Sequence, residues 1–395
     1  MHMDELNPPE RLLLGAGPSN VHPRVVKALL SPLVGHLDPY FIEIMDETKK
    51  LLAKAFKTKN EFSLPISGTG TAAMEAAICN LVQEGDEVII GVNGFFAQRM
   101  SEMVRRWGGK TLEIKKRWGD VTTKEEVENL FKNSNANLVA LVQGETSTGA
   151  LQPLQDIAKI ARAYDALVLV DTVTSFTGVD LDIDGWGIDV CYSSPQKCLN
   201  APPGASPITV GDRALNRIRN RRKPVQSLYF DFTLIERYWS ERRMYHHTAP
   251  IMNVYALREA LMIALEEGLD NRIAKYKRNS EALMAGVEAA GLTMNTEHQY
   301  TLPSLNAVRV PEGVDADKVK NIFLDRFNTE IGAGLGELKG QVWRVGLMGL
   351  NSSERNVLFF LEALEVSLRK EGHPLKPGVA ANAAVDYYDA HQPIN

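Results

Sequence analysis

One lysine in this sequence asks for a chemical explanation because it stands directly behind a buried apolar run. Lys197 follows DVCYSSPQ and precedes the close-turning Pro202, Pro203 and Gly204. Most lysines are solvated surface charges. An amine at a buried strand end is instead desolvated, which lowers its pKa toward the range where it attacks a carbonyl and forms a Schiff base. The spacing from Ser194 to Lys197 also fits the S-x-x-K of serine acylases, but no S-D-N or K-T-G follows. Upstream, ALVLVDTVTS ends a second apolar run on Asp171. Ligands of open α/β sheets sit at such strand ends, and a carboxylate there needs a positive partner. A helix N-terminus or a metal would serve. So would the protonated ring nitrogen of pyridoxal phosphate, which Asp171 would hold in its electron-accepting form. No cluster of histidines and carboxylates lies near Asp171 in sequence, which argues against the metal.

Three further segments carry candidate contacts. SLPISGTGTAAMEAA places Ser67, Gly68, Thr69, Gly70 and Thr71 between a strand-like run and a helix start, a cup in which helix N–H groups and hydroxyls face a phosphate. It is neither a Walker nor a Rossmann pattern, and a plain capping turn would use the same residue types. Arg344 lies inside the apolar run VWRVGLMG, where an unpaired guanidinium is costly. It calls for an anion: a substrate carboxylate held by its two-pronged fork, or an internal glutamate. Tyr245, His246, His247 and Thr248 suggest a metal, but adjacent histidines are expected to point apart on an extended chain. No metal is therefore expected.

These residues need a scaffold with buried parallel strands. Short apolar runs at 87–92, 110–114, 138–143, 166–171, 189–194 and 207–211 alternate with helical segments at 71–83, 98–107, 124–133 and 154–164. That alternation is the mark of a mainly parallel α/β sheet covered by helices. After long helical stretches at 254–268 and 270–291, the runs 305–310 and 342–347 with helices 316–327 and 353–369 predict a smaller α+β unit. The expected division is an N-terminal arm over 1–20, a large domain over 21–268, a small domain over 269–378 and an irregular tail over 379–395.

Composition narrows the function. With 44 Lys plus Arg against 49 Asp plus Glu, the formal charge of -5 offers no case for nucleic acid. No apolar window reaches membrane-span length, the start lacks a secretory pattern, and Cys79, Cys191 and Cys198 have no paired spacing. A cytoplasmic protein without a membrane partner is expected.

Taken together, LLLGAGPSNVHP, GHLDP, ISGTGTAAMEAA, VNGFFAQR, QGETSTGALQP, LVDTVTS, SSPQKCLNAPPG, YHHTAP and WRVGLMG resemble the class V, fold-type I aminotransferases, above all the alanine-glyoxylate and serine-glyoxylate (serine-pyruvate) enzymes. The likeness runs in order from Leu12 to about Arg369. It implies the fold-type I architecture, with a mainly parallel seven-stranded sheet in the large domain. It implies pyridoxal 5'-phosphate as cofactor, with Lys197 as its Schiff-base partner and Asp171 at the ring nitrogen. Val173 and Phe96 would cover the two ring faces, Phe96 standing where related enzymes often place tryptophan. Thr69, Gly70, Thr71 and Gln196 would hold the phosphate, and Thr146 would sit near the cofactor hydroxyl. Several relatives carry histidine where Thr71 stands. Tyr245 and Thr248 would reach the phosphate of a second subunit, making a homodimer part of the site. Gly17, His36 and Arg344 would face the substrate.

The activity implied is a two-stroke transfer of an amino group from alanine or serine to a small 2-oxo acid, glyoxylate or pyruvate. Ureidoglycine is the rival donor, although His36 stands where that subgroup is expected to have glutamine. A class V lyase or desulfurase would need a cysteine in the small domain, and none follows Cys198. A non-catalytic cofactor-binding protein is disfavoured by the presence of Asp171, Lys197 and Arg344.

Overall fold

The Val-, Ile- and Leu-rich runs become the strands of a seven-stranded sheet in the computed structural model, which describes residues 6–392. In spatial order they are Phe62–Gly68, Gly204–Val210, Val190–Tyr192, Leu167–Asp171, Leu138–Val142, Glu87–Val92 and Lys110–Lys115. The last five run parallel, and Gly204–Val210 is antiparallel to both of its neighbours. Every residue of Leu138–Val142 and Leu167–Asp171 is buried, as expected where helices cover a parallel sheet. Helices Gly70–Leu81, Phe95–Arg106 and Gln155–Ala163 pack on it and share its core. The architecture is α/β, as the sequence predicts.

A second sheet orders Leu12–Leu14, Thr329–Ala333, Val342–Gly346 and Leu305–Arg309. It shares a core with Leu269–Ala289 and Glu354–Lys370. Its first strand comes from the stretch read as an N-terminal arm: Leu12 to Leu14 pair in parallel with Thr329 to Ile331. The tail also departs from expectation. Residues Val379–Ala390 form a helix, not an irregular segment. Ala380, Ala384 and Tyr388, four residues apart, are buried against Leu269–Ala289 and Glu354–Lys370. Tyr388 Oη donates to Asn279 Oδ1 at 2.8 Å, and Glu365 accepts from the Gly378 and Ala380 N–H groups at 2.6 Å each. Gly378 has φ +80°, which glycine adopts without strain and which starts the helix cleanly.

Helix Pro39–Ala55, absent from the sequence reading, has a clear start signal: Asp38 accepts from Tyr40 N–H at 2.9 Å, with proline at the first helical position.

Candidate active site

Asp171 ends the strand Leu167–Asp171, and its flanking strands end in register with it at Val142 and Tyr192. Its carboxylate is buried and accepts from Val173 N–H and from Tyr192 Oη, each at 2.8 Å. Burial raises its pKa to about 6, against the opposing pull of those two donors. A cation facing it would hold it ionised.

Lys197 lies in the turn after Val190–Tyr192 and is 8% exposed. Burial, reinforced by the positive Arg344, lowers its pKa to about 8. Its Nζ donates to the Ala16 carbonyl. Gly17 packs so tightly that a Cβ there, at φ +94°, would lie 2.6 Å from Lys197 Nζ. The backbone of the turn is held from the same stretch: Ser19 Oγ donates to the Lys197 carbonyl at 2.7 Å, and Ser19 N–H to the Gln196 carbonyl at 2.9 Å.

The cup forms at the N-terminus of helix Gly70–Leu81. Thr69 is its N-cap, but the Thr69 side chain makes no capping bond, so its hydroxyl is unspent. Gly70 is enclosed: a Cβ there would meet Ser194 at 2.9 Å and Val173 at 3.2 Å. Helix N–H groups therefore open onto a cavity of about 190 Å³. Thr69, Gly70, Thr71 and Gln196 line its cup side. Phe96, Thr146, Asp171, Val173 and Lys197 line the remainder. The donor set fits a phosphorylated pyridine aldehyde: an anion cup, a buried carboxylate for a ring cation, and a buried amine of lowered pKa.

Arg344 sits buried in Val342–Gly346 beside this cavity. Its Nε donates to the Ala333 carbonyl at 2.7 Å and Nη1 to the Thr146 carbonyl at 3.2 Å. It makes no ion pair among the described residues, so the internal-glutamate reading does not hold. Burial lowers its pKa to about 10, opposed by the charge of Glu145.

Sequence reasoning missed Glu145. The residue is wholly buried and accepts from Phe96 N–H at 3.1 Å, Ala97 N–H at 3.0 Å and Ser147 N–H and Oγ at 3.0 and 2.6 Å. Burial raises its pKa, and these four donors pull it back down. It ties Phe96, at the start of helix Phe95–Arg106, to the turn that carries Thr146. The signal was its place in the same GETSTG motif, beside Thr146.

Tyr245, Thr248 and His36 do not join the cavity. Tyr245 is 62% exposed and its ring lies 5.3 Å from that of His36. The expected divergence of the histidine pair is wrong: His246 and His247 meet Nδ1 to Nδ1 at 2.7 Å. Their outer nitrogens are committed, His247 Nε2 to Ser67 Oγ at 2.6 Å and His246 Nε2 to the Leu228 carbonyl at 2.9 Å. Burial pushes His247 down to about 4.

The sequence model for aminotransferase class-V matches residues 12–343. The chain belongs to the class-V aminotransferases. This aminotransferase is 46% identical to an alanine–glyoxylate aminotransferase from Nostoc sp., with a TM-score of 0.92 over 93% of this chain and 98% of that one. It is 38% identical to the ureidoglycine–glyoxylate aminotransferase of Bacillus subtilis, TM-score 0.95, over 98% and 100% of the two chains. It is also 38% identical to the alanine–glyoxylate aminotransferase of Felis catus over 92% of this chain and 89% of the relative. Among the described residues no helix is long and apolar enough to cross a membrane.

Proposed function

We propose that this aminotransferase works with pyridoxal 5'-phosphate held at Lys197 and moves the amino group of alanine or serine to glyoxylate, with pyruvate as a further acceptor. The observation that carries this reading is the pairing of a buried amine, lowered to about 8, with the buried Asp171 carboxylate at one cavity under a helix N-terminus. When bound, the coenzyme supplies an aldehyde for the substrate nitrogen and a ring that takes up the electron pair released at the α-carbon. The protein supplies the rest. Thr69, Gly70, Thr71 and Gln196 fix the phosphate, Val173 and Phe96 confine the ring, and Asp171 keeps its nitrogen protonated. Thr146 stands by the ring hydroxyl. Arg344 grips the substrate carboxylate with the part of its fork not spent on carbonyls, which orients the α-hydrogen toward Lys197. Lys197 Nζ, neutral in a useful fraction near neutral pH, then carries that proton. Gly17 leaves it the space and borders the substrate.

A homodimer completes the site in this reading, with Tyr245 and Thr248 directed to the phosphate of the partner. Support comes from apolar side chains left exposed: Met244, next to Tyr245 in the chain, is 51% exposed, Leu33 68% and Leu30 81%. The three buried, unpaired thiols suit a cytoplasmic location. They also weigh against a desulfurase, since burial raises the pKa of each and makes a poor nucleophile. Ureidoglycine remains a second candidate donor because the Bacillus relative matches along nearly the whole chain.

The test is a panel of amino donors (alanine, serine, ureidoglycine) against glyoxylate and pyruvate, with Lys197→Ala beside the wild type. The reading expects turnover with alanine or serine and its loss in Lys197→Ala, together with the visible absorbance of the lysine-bound coenzyme. Full turnover in that variant would refute it.

A further inference from the structure

Arg99 is a charged side chain at the edge of the cavity to which the preceding assignments give no task. It lies on helix Phe95–Arg106, where Arg105 and Arg106 are both paired, with Glu102 and Glu113. Arg99 forms no ion pair among the described residues. Its contacts are with two walls of the site. Nη1 donates to Thr71 Oγ1 at 3.1 Å, and Cζ stands 5.1 Å from the ring centroids of both Phe95 and Phe96.

We propose that Arg99 is a positioning residue for the coenzyme phosphate, aiming the Thr71 hydroxyl into the cup and holding the Phe96 ring; this rests on the pyridoxal-phosphate reading above. A hydroxyl has one proton and two lone pairs. Arg99 occupies a lone pair, so the Thr71 proton is left to be donated, and Thr71 lines the cavity. A phosphate oxygen would accept it in a charge-assisted bond, with the adjacent guanidinium charge increasing the donor's acidity. The flat guanidinium can lie over aromatic rings while an edge N–H donates, whereas an ammonium offers only a point charge. One cation thus links the phosphate cup to the wall expected to cover the ring, two features that the chain draws from different helices.

The experiment uses the full chain stripped of coenzyme, titrated with pyridoxal phosphate by quenching of protein fluorescence, with inorganic phosphate as competitor. Variants are R99A, R99K, T71V and the double variant T71V/R99A, each with its melting midpoint. R99A is expected to raise the dissociation constant roughly tenfold to a hundredfold and to weaken inorganic phosphate in parallel. R99K is expected to restore only part of the loss. In the T71V background, removing Arg99 is expected to cost much less than in the wild type, the non-additivity of two groups sharing one bond. An unchanged dissociation constant in R99A, or full additivity of the two substitutions, overturns the proposal. Wild-type protein that binds no pyridoxal phosphate instead overturns the coenzyme reading itself. Should R99A not fold, R99K and R99M decide the same question.

Discussion

Lys197→Met in the coenzyme-free protein should make the fold more stable at pH 7 and less stable at high pH. The buried amine falls from its ordinary pKa of 10.5 to about 8, a drop of about 2.5 decades. At about 1.4 kcal/mol per decade, the folded state bears a cost of about 3 kcal/mol for holding the charged amine at pH 7. Between pH 8 and 10.5 the unfolded chain binds more protons than the native one, so wild-type stability rises with pH and the cost is gone above 10.5. Methionine fills a similar volume without charge but loses the bond to the Ala16 carbonyl, worth about 1 kcal/mol. The variant should therefore gain about 2 kcal/mol over wild type at pH 7 and trail it by about 1 kcal/mol above pH 10.5. Urea unfolding of both proteins across that range measures the difference directly, since every other titrating group is common to the two. A stability difference that stays flat from pH 7 to 11 would refute the reasoning.

Other substitutions probe the remaining parts. Asp171→Asn should retain the fold but lower kcat by about a hundredfold or more, read by steady-state kinetics, because a neutral amide cannot keep a ring nitrogen protonated. Arg344→Lys should raise KM for the amino donor roughly tenfold to a hundredfold with a smaller effect on kcat, since an ammonium cannot replace a two-pronged grip. Glu365→Ala removes both bonds to the start of the terminal helix; it should cost about 2 kcal/mol and speed amide exchange across 379–390 before the rest of the chain opens.

Much of this was legible in the sequence because the parallel strands are buried on both faces, and an apolar run such as Leu138–Val142 has no other reading between two helical segments. Asp171 and Lys197 stood out for the same reason: a charge at the end of such a run contradicts its surroundings. Long-range pairing left weaker traces. Nothing local in Leu12–Leu14 says that its partner lies at Thr329 to Ile331. The terminal helix was readable in the spacing of Ala380, Ala384 and Tyr388, but what buries it is packing against Leu269–Ala289 and Glu354–Lys370, which no local pattern shows. Glu145 was hidden because its function depends on donors from Phe96 and Ala97, about fifty residues earlier in the chain. The histidine pair was misjudged because the loop bends enough for the rings to meet.

The strand Leu12–Leu14 also sets an order of events during synthesis. Residues 16 to 19 press on Lys197 and on the backbone of its turn, yet the strand just before them gains its own partner only when residues 329–331 exist. On the ribosome this strand must wait for a partner made about three hundred residues later. Until residues 329–331 are made, the strand that leads into this stretch has no sheet partner to anchor it, although Ser19 can already bond the backbone of the Lys197 turn.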